Sequence, residues 1–196
     1  PQAQPWASFP FTSQYAHVDS KLCQADIVWN WDGVQFSFLH PSEKMLKAHA
    51  SSIAKGGSVW PSTNAMSCVL HIQSQSGATA LLTGDIGVLQ ELDLRLQYGN
   101  ALKADYLLVP HHGSRSSSSE GFLRAVAPSI AVAQAGYLNK SGHPLPDVVQ
   151  RYTEQEIALV STPQCDAAWG SSLKPSEVVC ERIVRQRYWP GLYRFD

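Results

Sequence analysis

Three short apolar runs in this sequence end in the same manner, and that recurrence constrains the fold more than any bulk property. "ATALLTGD" (78–85) carries a carboxylate to the end of an apolar stretch, "DYLLVPHH" (105–112) carries two histidines, and "SIAVAQAG" (129–136) leads into "SGHP" (141–144). Runs so short and so continuously apolar fit strands buried on both faces. Each is followed by a stretch of helical character. "IGVLQELDLRLQYG" (86–99) sets Leu89, Leu92 and Leu96 at helical spacing ahead of a stop at Gly99. "SSSEGFLRAVAP" (117–128) offers serine N-caps and a Phe122/Leu123/Val126 face. "LPDVVQRYTEQ" (145–155) turns Val148, Val149 and Tyr152 inward, and "IALVST" (157–162) returns as a strand. The alternation predicts an α/β fold with helices covering a sheet.

The flanks add to this plan. "GVQFSFLH" (33–40) alternates with period two, and "SCVLHIQS" (67–74) joins the next strand through a turn at Gln75 to Gly77. Small and polar residues between Lys47 and Met66 read as a long loop. "EVVCERIVRQRYW" (177–189) alternates as an edge strand would. No repeat or internal boundary is visible, so residues 1–196 read as one domain, with residues 1–22 an irregular lead-in.

Bulk properties exclude more than they assign. With 44% hydrophobic and 16% charged residues, the chain has the composition of a globular protein. A formal charge of −1 supplies no global field toward polyanions, so any such binding rests on local geometry or metal. No apolar run nears the roughly 18 residues of a membrane span, and the opening residues lack the pattern of a signal peptide. None of the four cysteines forms a CxxC pair, which disfavours a structural zinc site. Cys68, in an apolar run, reads as a small buried hydrophobe. Cys165 and Cys180 flank a turn-rich segment, where a disulfide fits an oxidising compartment.

Ligands of α/β sheets collect outside the carboxyl ends of strands. Asp85, the pair His111 and His112, and His143 each follow such an end, so neighbouring strands would bring all four to one rim. A carboxylate with imidazoles is a donor set for Zn²⁺ or Mn²⁺, and a cation would offset the cost of a carboxylate at the edge of a core. Asp85 as a simple helix N-cap is the competing reading. Gly84 and Gly113 permit tight turns at these points, and Ser114 is placed to donate to a phosphate or to a ligand. Asn64 and Ser67 precede the strand leading to the same rim and are further candidates for substrate contact. His17, His40 and His49 read as surface or loop residues, and His71 as a strand residue.

The segments "NAMSCVLHI", "LLTGDI", "ADYLLVPHHGSRSSSSEGFLRAVAP" and "GYLNKSGHP", with "WNWDGVQFSFLHP" and "RQRYW", resemble the C-terminal metallo-β-lactamase-like domain of the ComEC family of competence DNA-uptake channels. The likeness runs from about Cys23 to Trp189. It implies a partial αββα sandwich of two packed sheets flanked by helices, with the metal site at its rim. It also implies a nuclease that degrades the DNA strand not imported, carried by an inner-membrane parent with this domain on the extracytoplasmic side. Asp85 would be a metal ligand, and the later histidines further ligands or acid–base groups. Of the pair, His111 is the favoured ligand, beside Asp85 and His143, with His112 and His143 the catalytic candidates.

One departure tempers this. The superfamily's HxHxDH run is absent, so the chain is expected to match the part of the domain that follows it, to bind metal weakly or not at all alone, and to be nearly inactive alone. Incomplete sheets would expose edges and favour self-association. Two other expectations remain open. One is a non-catalytic module that positions DNA or docks a partner, using Arg182, Arg185, Arg187 and Arg194 with Tyr188 and Trp189. The other is a hydrolase of a small phosphodiester.

Overall fold

The computed structural model describes residues 22–54 and 61–185. Its elements in chain order are β1 (Val28–Trp31), β2 (Val34–His40), α1 (Glu43–Ala54), β3 (Val69–Gln73), β4 (Thr79–Leu82), α2 (Val88–Tyr98) and β5 (Tyr106–Leu108). There follow α3 (Glu120–Val126), β6 (Ile130–Ala133), α4 (Pro146–Glu154), β7 (Ala158–Ser161), α5 (Thr162–Cys165), β8 (Ala168–Ser171), β9 (Lys174–Cys180) and α6 (Glu181–Val184). The α/β class is as expected.

β1 to β7 form one sheet in sequential order, antiparallel from β1 to β4 and parallel from β4 to β7. This mixture has a consequence for function. The carboxyl ends of β2, β4, β5, β6 and β7 all reach one rim, and β3 begins there.

Strand alternation decides what the sheet buries. Leu81, Leu107, Ala131 and Ala133 are fully enclosed against Leu94 of α2, Phe122, Leu123 and Val126 of α3, and Val148 and Tyr152 of α4. Each large aliphatic or aromatic side chain so enclosed contributes roughly 1.5–3 kcal/mol. On the other face β8 and β9 form a two-stranded ribbon. The Tyr106 hydroxyl lies 3.2–3.3 Å from the carbonyls of Ser171, Lys174 and Glu177, so one phenol anchors the ribbon to the sheet. Among the described residues, the second layer of the expected sandwich is this ribbon. At the far side β1 is an edge strand, with Trp29 stacked on Phe36 (5.0 Å between rings) and Trp31 largely exposed.

Several expectations are corrected. The predicted loop from Lys47 to Met66 begins as helix, because α1 continues to Ala54. His40 and His49 are buried rather than superficial, each ring donating through Nδ1 to a carbonyl, Ser67 O at 2.9 Å and Pro61 O at 2.8 Å. α2 forms as predicted, and the face it turns inward is not its leucine stripe. Glu91 and Leu94 are enclosed, whereas Leu89, Leu92 and Leu96 line a groove toward α1. A carboxylate satisfied by buried donors outweighs the leucine stripe here. Cys68 is not an isolated hydrophobe: it is bonded to Cys23, while Cys165 and Cys180 are joined as expected. The C-terminal alternation holds only to Cys180, after which α6 begins.

Candidate active site at the strand rim

Each candidate reaches the rim through a turn that its sequence permits. After β4 the chain bends at Gly84 (φ +56°), where an added Cβ would lie 2.9 Å from the Ser67 Cβ. That close approach lets Ser67 Oγ accept the Asp85 N–H at 3.0 Å. Ser67 thus orients the carboxylate loop through its hydroxyl while its carbonyl receives His40.

After β5, His111, His112 and Gly113 take positive φ values of 49°, 56° and 84° in succession. Non-glycine residues in this region cost about 1 kcal/mol or more each and persist where neighbours over-determine them. The restraints are visible. His111 N donates to Gly84 O (2.9 Å), Leu145 N to Gly113 O (3.0 Å), and Ser117 Oγ to Pro110 O (2.8 Å). Gly113 faces Pro144 so closely that a Cβ would sit 2.5 Å from the proline Cβ. The loop bearing both histidines is therefore locked to the loop bearing His143.

The pair divides its roles. His112 Nδ1 donates to Gln134 O at 2.7 Å, which in the neutral ring leaves the lone pair on Nε2, 3.4 Å from Asp85 Oδ1. His111 Nε2 lies 3.3 Å from the Asn64 amide nitrogen, and its Nδ1 lies 3.5 Å from Ser116 Oγ. Since the amide nitrogen can only donate, it engages the lone pair that a cation would need. The rings of His111 and His112 are 6.5 Å apart, and those of His111 and His143 are 6.4 Å apart. Ser114 pairs with Ser116 (3.2 Å). All the candidates predicted for the rim therefore sit at it.

Fit to a cation can be tested on these distances. Two donors about 2.0–2.2 Å from a tetrahedral Zn²⁺ lie about 3.3–3.5 Å apart. Asp85 Oδ1 and His112 Nε2 match one such edge, and the Gln134 carbonyl behind His112 is the usual support of a ligating imidazole. His143 Nδ1 is buried and has no hydrogen-bond partner among the described residues, a state that a water, a ligand or an ion would each relieve. Among the described residues, however, no group of three or more His, Cys, Asp and Glu side chains is arranged to hold a metal ion. The residues fit one edge of a coordination shell, not a whole one.

Sequence reasoning missed the scaffold beneath. Glu91, fully enclosed on α2, accepts the backbone N–H groups of Ser118 (2.5 Å) and Ser119 (2.8 Å). It holds the two residues that lead into α3, where a serine hydroxyl was expected as the cap; Ser119 makes no side-chain cap. Burial holds its carboxyl above the usual range, against those hydrogen bonds and the nearby Arg151. Arg151 Nη1 donates to Ser117 O (2.8 Å), and Ser118 Oγ lies 3.0 Å from the Tyr152 hydroxyl. The run "SRSSSSE" is thus a hydrogen-bonded brace next to His111. A lone glutamate inside a leucine-rich helix was its only signal. Asn139 was missed too. Its amide accepts from His143 N (2.8 Å) and donates to His143 O (2.8 Å), which fixes that loop.

The basic C-terminal group behaves otherwise. Arg182 pairs with Asp166 and Arg185 with Glu181, while Arg187, Tyr188, Trp189 and Arg194 lie outside the described residues, as does His17.

No family model matches the chain. Over 162 residues, 82% of the chain, it is 40% identical to Competence protein ComA of Neisseria gonorrhoeae. It is 29% identical over 153 residues, 78% of the chain, to Recombination protein 2 of Haemophilus influenzae. It is 35% identical over 103 residues, 53% of the chain, to ComE operon protein 3 of Bacillus subtilis. The matched segment makes up 21%, 17% and 13% of these proteins respectively, so the chain spans about a fifth or less of their length. Across most of its own length, this chain is related to one segment of a competence-related protein family.

Proposed function

We propose that the rim of Asp85, His111, His112 and His143 belongs to a metal-dependent phosphodiesterase that hydrolyses DNA during competence-linked uptake. The observation that carries this reading is the 3.4 Å approach of His112 Nε2 to Asp85 Oδ1, with His112 Nδ1 held by Gln134 O. Asp85 and His112 are the donors suited to Zn²⁺ or Mn²⁺, with His143 beside them. A cation held by Asp85 and His112 would supply Lewis acidity, activating a water and offsetting charge on the phosphoryl group.

The chain's own residues do the remaining work. Ser67 and Gly84 aim the Asp85 carboxylate, and the Gln134 carbonyl fixes the His112 tautomer. His111 is held between Asn64 and Ser116, and the hydroxyls of Ser114 and Ser116 beside it are placed to hydrogen-bond a phosphate oxygen. His143 is the candidate for proton transfer to the leaving oxygen.

The names of the relatives support a role in competence, and the chemistry of the rim supports a phosphodiester substrate. The parent is read as membrane-associated, with this part on its extracytoplasmic side. Two disulfides among the described residues support that placement. No helix among the described residues is long and apolar enough to cross a membrane.

The test is hydrolysis of DNA by the full-length parent loaded with Zn²⁺ or Mn²⁺. Asp85→Ala and His112→Ala are each expected to lower kcat/KM by at least about a hundredfold, the scale of losing an electrostatic stabiliser. Metal-dependent cleavage that survives both substitutions would overturn the reading.

A further inference from the structure

A cleft of about 480 Å³ opens beside the rim, between the loop that follows β6 and the start of α5. Its volume lies within the range typical of small-ligand sites, roughly 300–1,000 Å³. His112 and His143 form its inner end, and Gln134, Ala135, Gly136 and Ser141 line the rest.

Both walls are preformed. Thr162 Oγ1 accepts from Ala135 N (3.0 Å) and donates to Ala135 O (2.9 Å), which ties the loop after β6 to the end of β7. Asn139 ties the opposite side through the His143 backbone and Gly136 O. A cleft held in this way loses little entropy on binding.

Its chemistry is specific in two respects. Among the described residues no lysine, arginine or carboxylate lines it, so it offers no formal charge to a second phosphate. Of the polar residues that line it, Gln134 and Ser141 are exposed and form no side-chain hydrogen bond among the described residues, whereas the Asn139 and Thr162 side chains are engaged. An amide presents a donor and an acceptor side by side, the pattern that a nucleobase edge complements. Ala135 and Gly136 leave a small-residue floor against which a flat ring or a sugar can lie.

We infer that this cleft is a nucleoside subsite, receiving the sugar and base next to the phosphate that the histidines address. This rests on the proposed phosphodiesterase reading, and it names Gln134 and Ser141 as the residues that hold the neutral part of the substrate.

The experiment is an NMR titration of the whole chain with thymidine or deoxyadenosine, neutral probes without phosphate, and separately with inorganic phosphate. The nucleosides are expected to shift the amide signals of Gln134, Gly136 and Ser141, and phosphate alone is expected to leave them in place. Gln134→Ala removes one hydrogen-bonding group and is expected to weaken nucleoside binding about three- to tenfold. Ser141→Trp, which fills an exposed position without touching the core, is expected to abolish it. Absence of nucleoside shifts at these residues, equal shifts with phosphate, or affinity indifferent to both substitutions would overturn the inference. Nucleoside binding here in a protein whose parent fails to cleave DNA would uphold the subsite and sink the phosphodiesterase reading; cleavage without nucleoside binding would do the reverse.

Discussion

Truncating Glu91 to alanine tests whether one buried carboxylate organises the loop beneath the candidate site. Glu91 is fully enclosed and accepts two backbone N–H groups, that of the buried Ser118 and that of the partly buried Ser119. Hydrogen bonds to a charged group contribute about 1.5–3 kcal/mol each, so the two bonds together represent about 3–6 kcal/mol. Part of this is offset because burial disfavours the charged carboxylate, the same effect that raises its pKa. A net loss of about 3 kcal/mol is expected for Glu91→Ala, a large share of the roughly 5–15 kcal/mol that holds a domain together. Urea unfolding gives the measurement. With a slope of about 2–3 kcal/mol/M the midpoint should fall by about 1 M or more. Glu91→Gln keeps one acceptor but turns an amide NH₂ toward a backbone donor, and should fall between the two. Hydrogen exchange adds a local readout, since the Ser118 and Ser119 amides should lose protection in both variants. A loss below about 1 kcal/mol for the alanine variant, with those amides still protected, would refute the reasoning.

Two further predictions concern the loops and their surroundings. Gly113→Ala and Gly77→Ala both place a Cβ at strongly positive φ, but only the first meets a neighbour, Pro144, whereas Gly77 has nothing within 4 Å. Gly77→Ala should cost about 1–2 kcal/mol from the backbone alone. Gly113→Ala should cost at least about 2 kcal/mol more, read in the same urea assay, and similar losses for the two would remove the claimed lock between the histidine loops. His40, buried with its pKa lowered chiefly by desolvation, contributes stability that is present above the unfolded value of about 6.5 and is lost as pH falls through the native value. Unfolding midpoints should therefore drop between pH 7 and pH 5 by more in the wild type than in His40→Asn, which cannot titrate. Equal drops would sink that assignment.

How much was legible in the sequence depended on how local the cause was. The strands ending at Asp85, at His111 and ahead of His143 were readable because continuous apolar runs closed by glycine, proline or polar residues leave few alternatives. The Phe122/Leu123/Val126 face of α3 was readable for the same reason. The leucine face of α2 was not, because its orientation turns on Glu91 meeting two amides 27 and 28 residues away. Cys68 resembled a buried hydrophobe because its neighbours are apolar, and only the fold brings Cys23 to it across 45 residues.

The candidate site divides along the same line. Sequence alone named the four rim residues and placed each after a strand, since a polar residue closing an apolar run is a local pattern. Which histidine faces the carboxylate, and that Gln134, Asn139, Ser116 and Glu91 hold the arrangement, was decided by tertiary structure. Three left-handed residues in a row swing His112 toward Asp85 and His111 toward Asn64, and no local periodicity encodes that divergence. Spacing along a chain fixes which element carries a side chain, but the direction of its lone pair depends on groups that only the folded sheet brings within hydrogen-bond range.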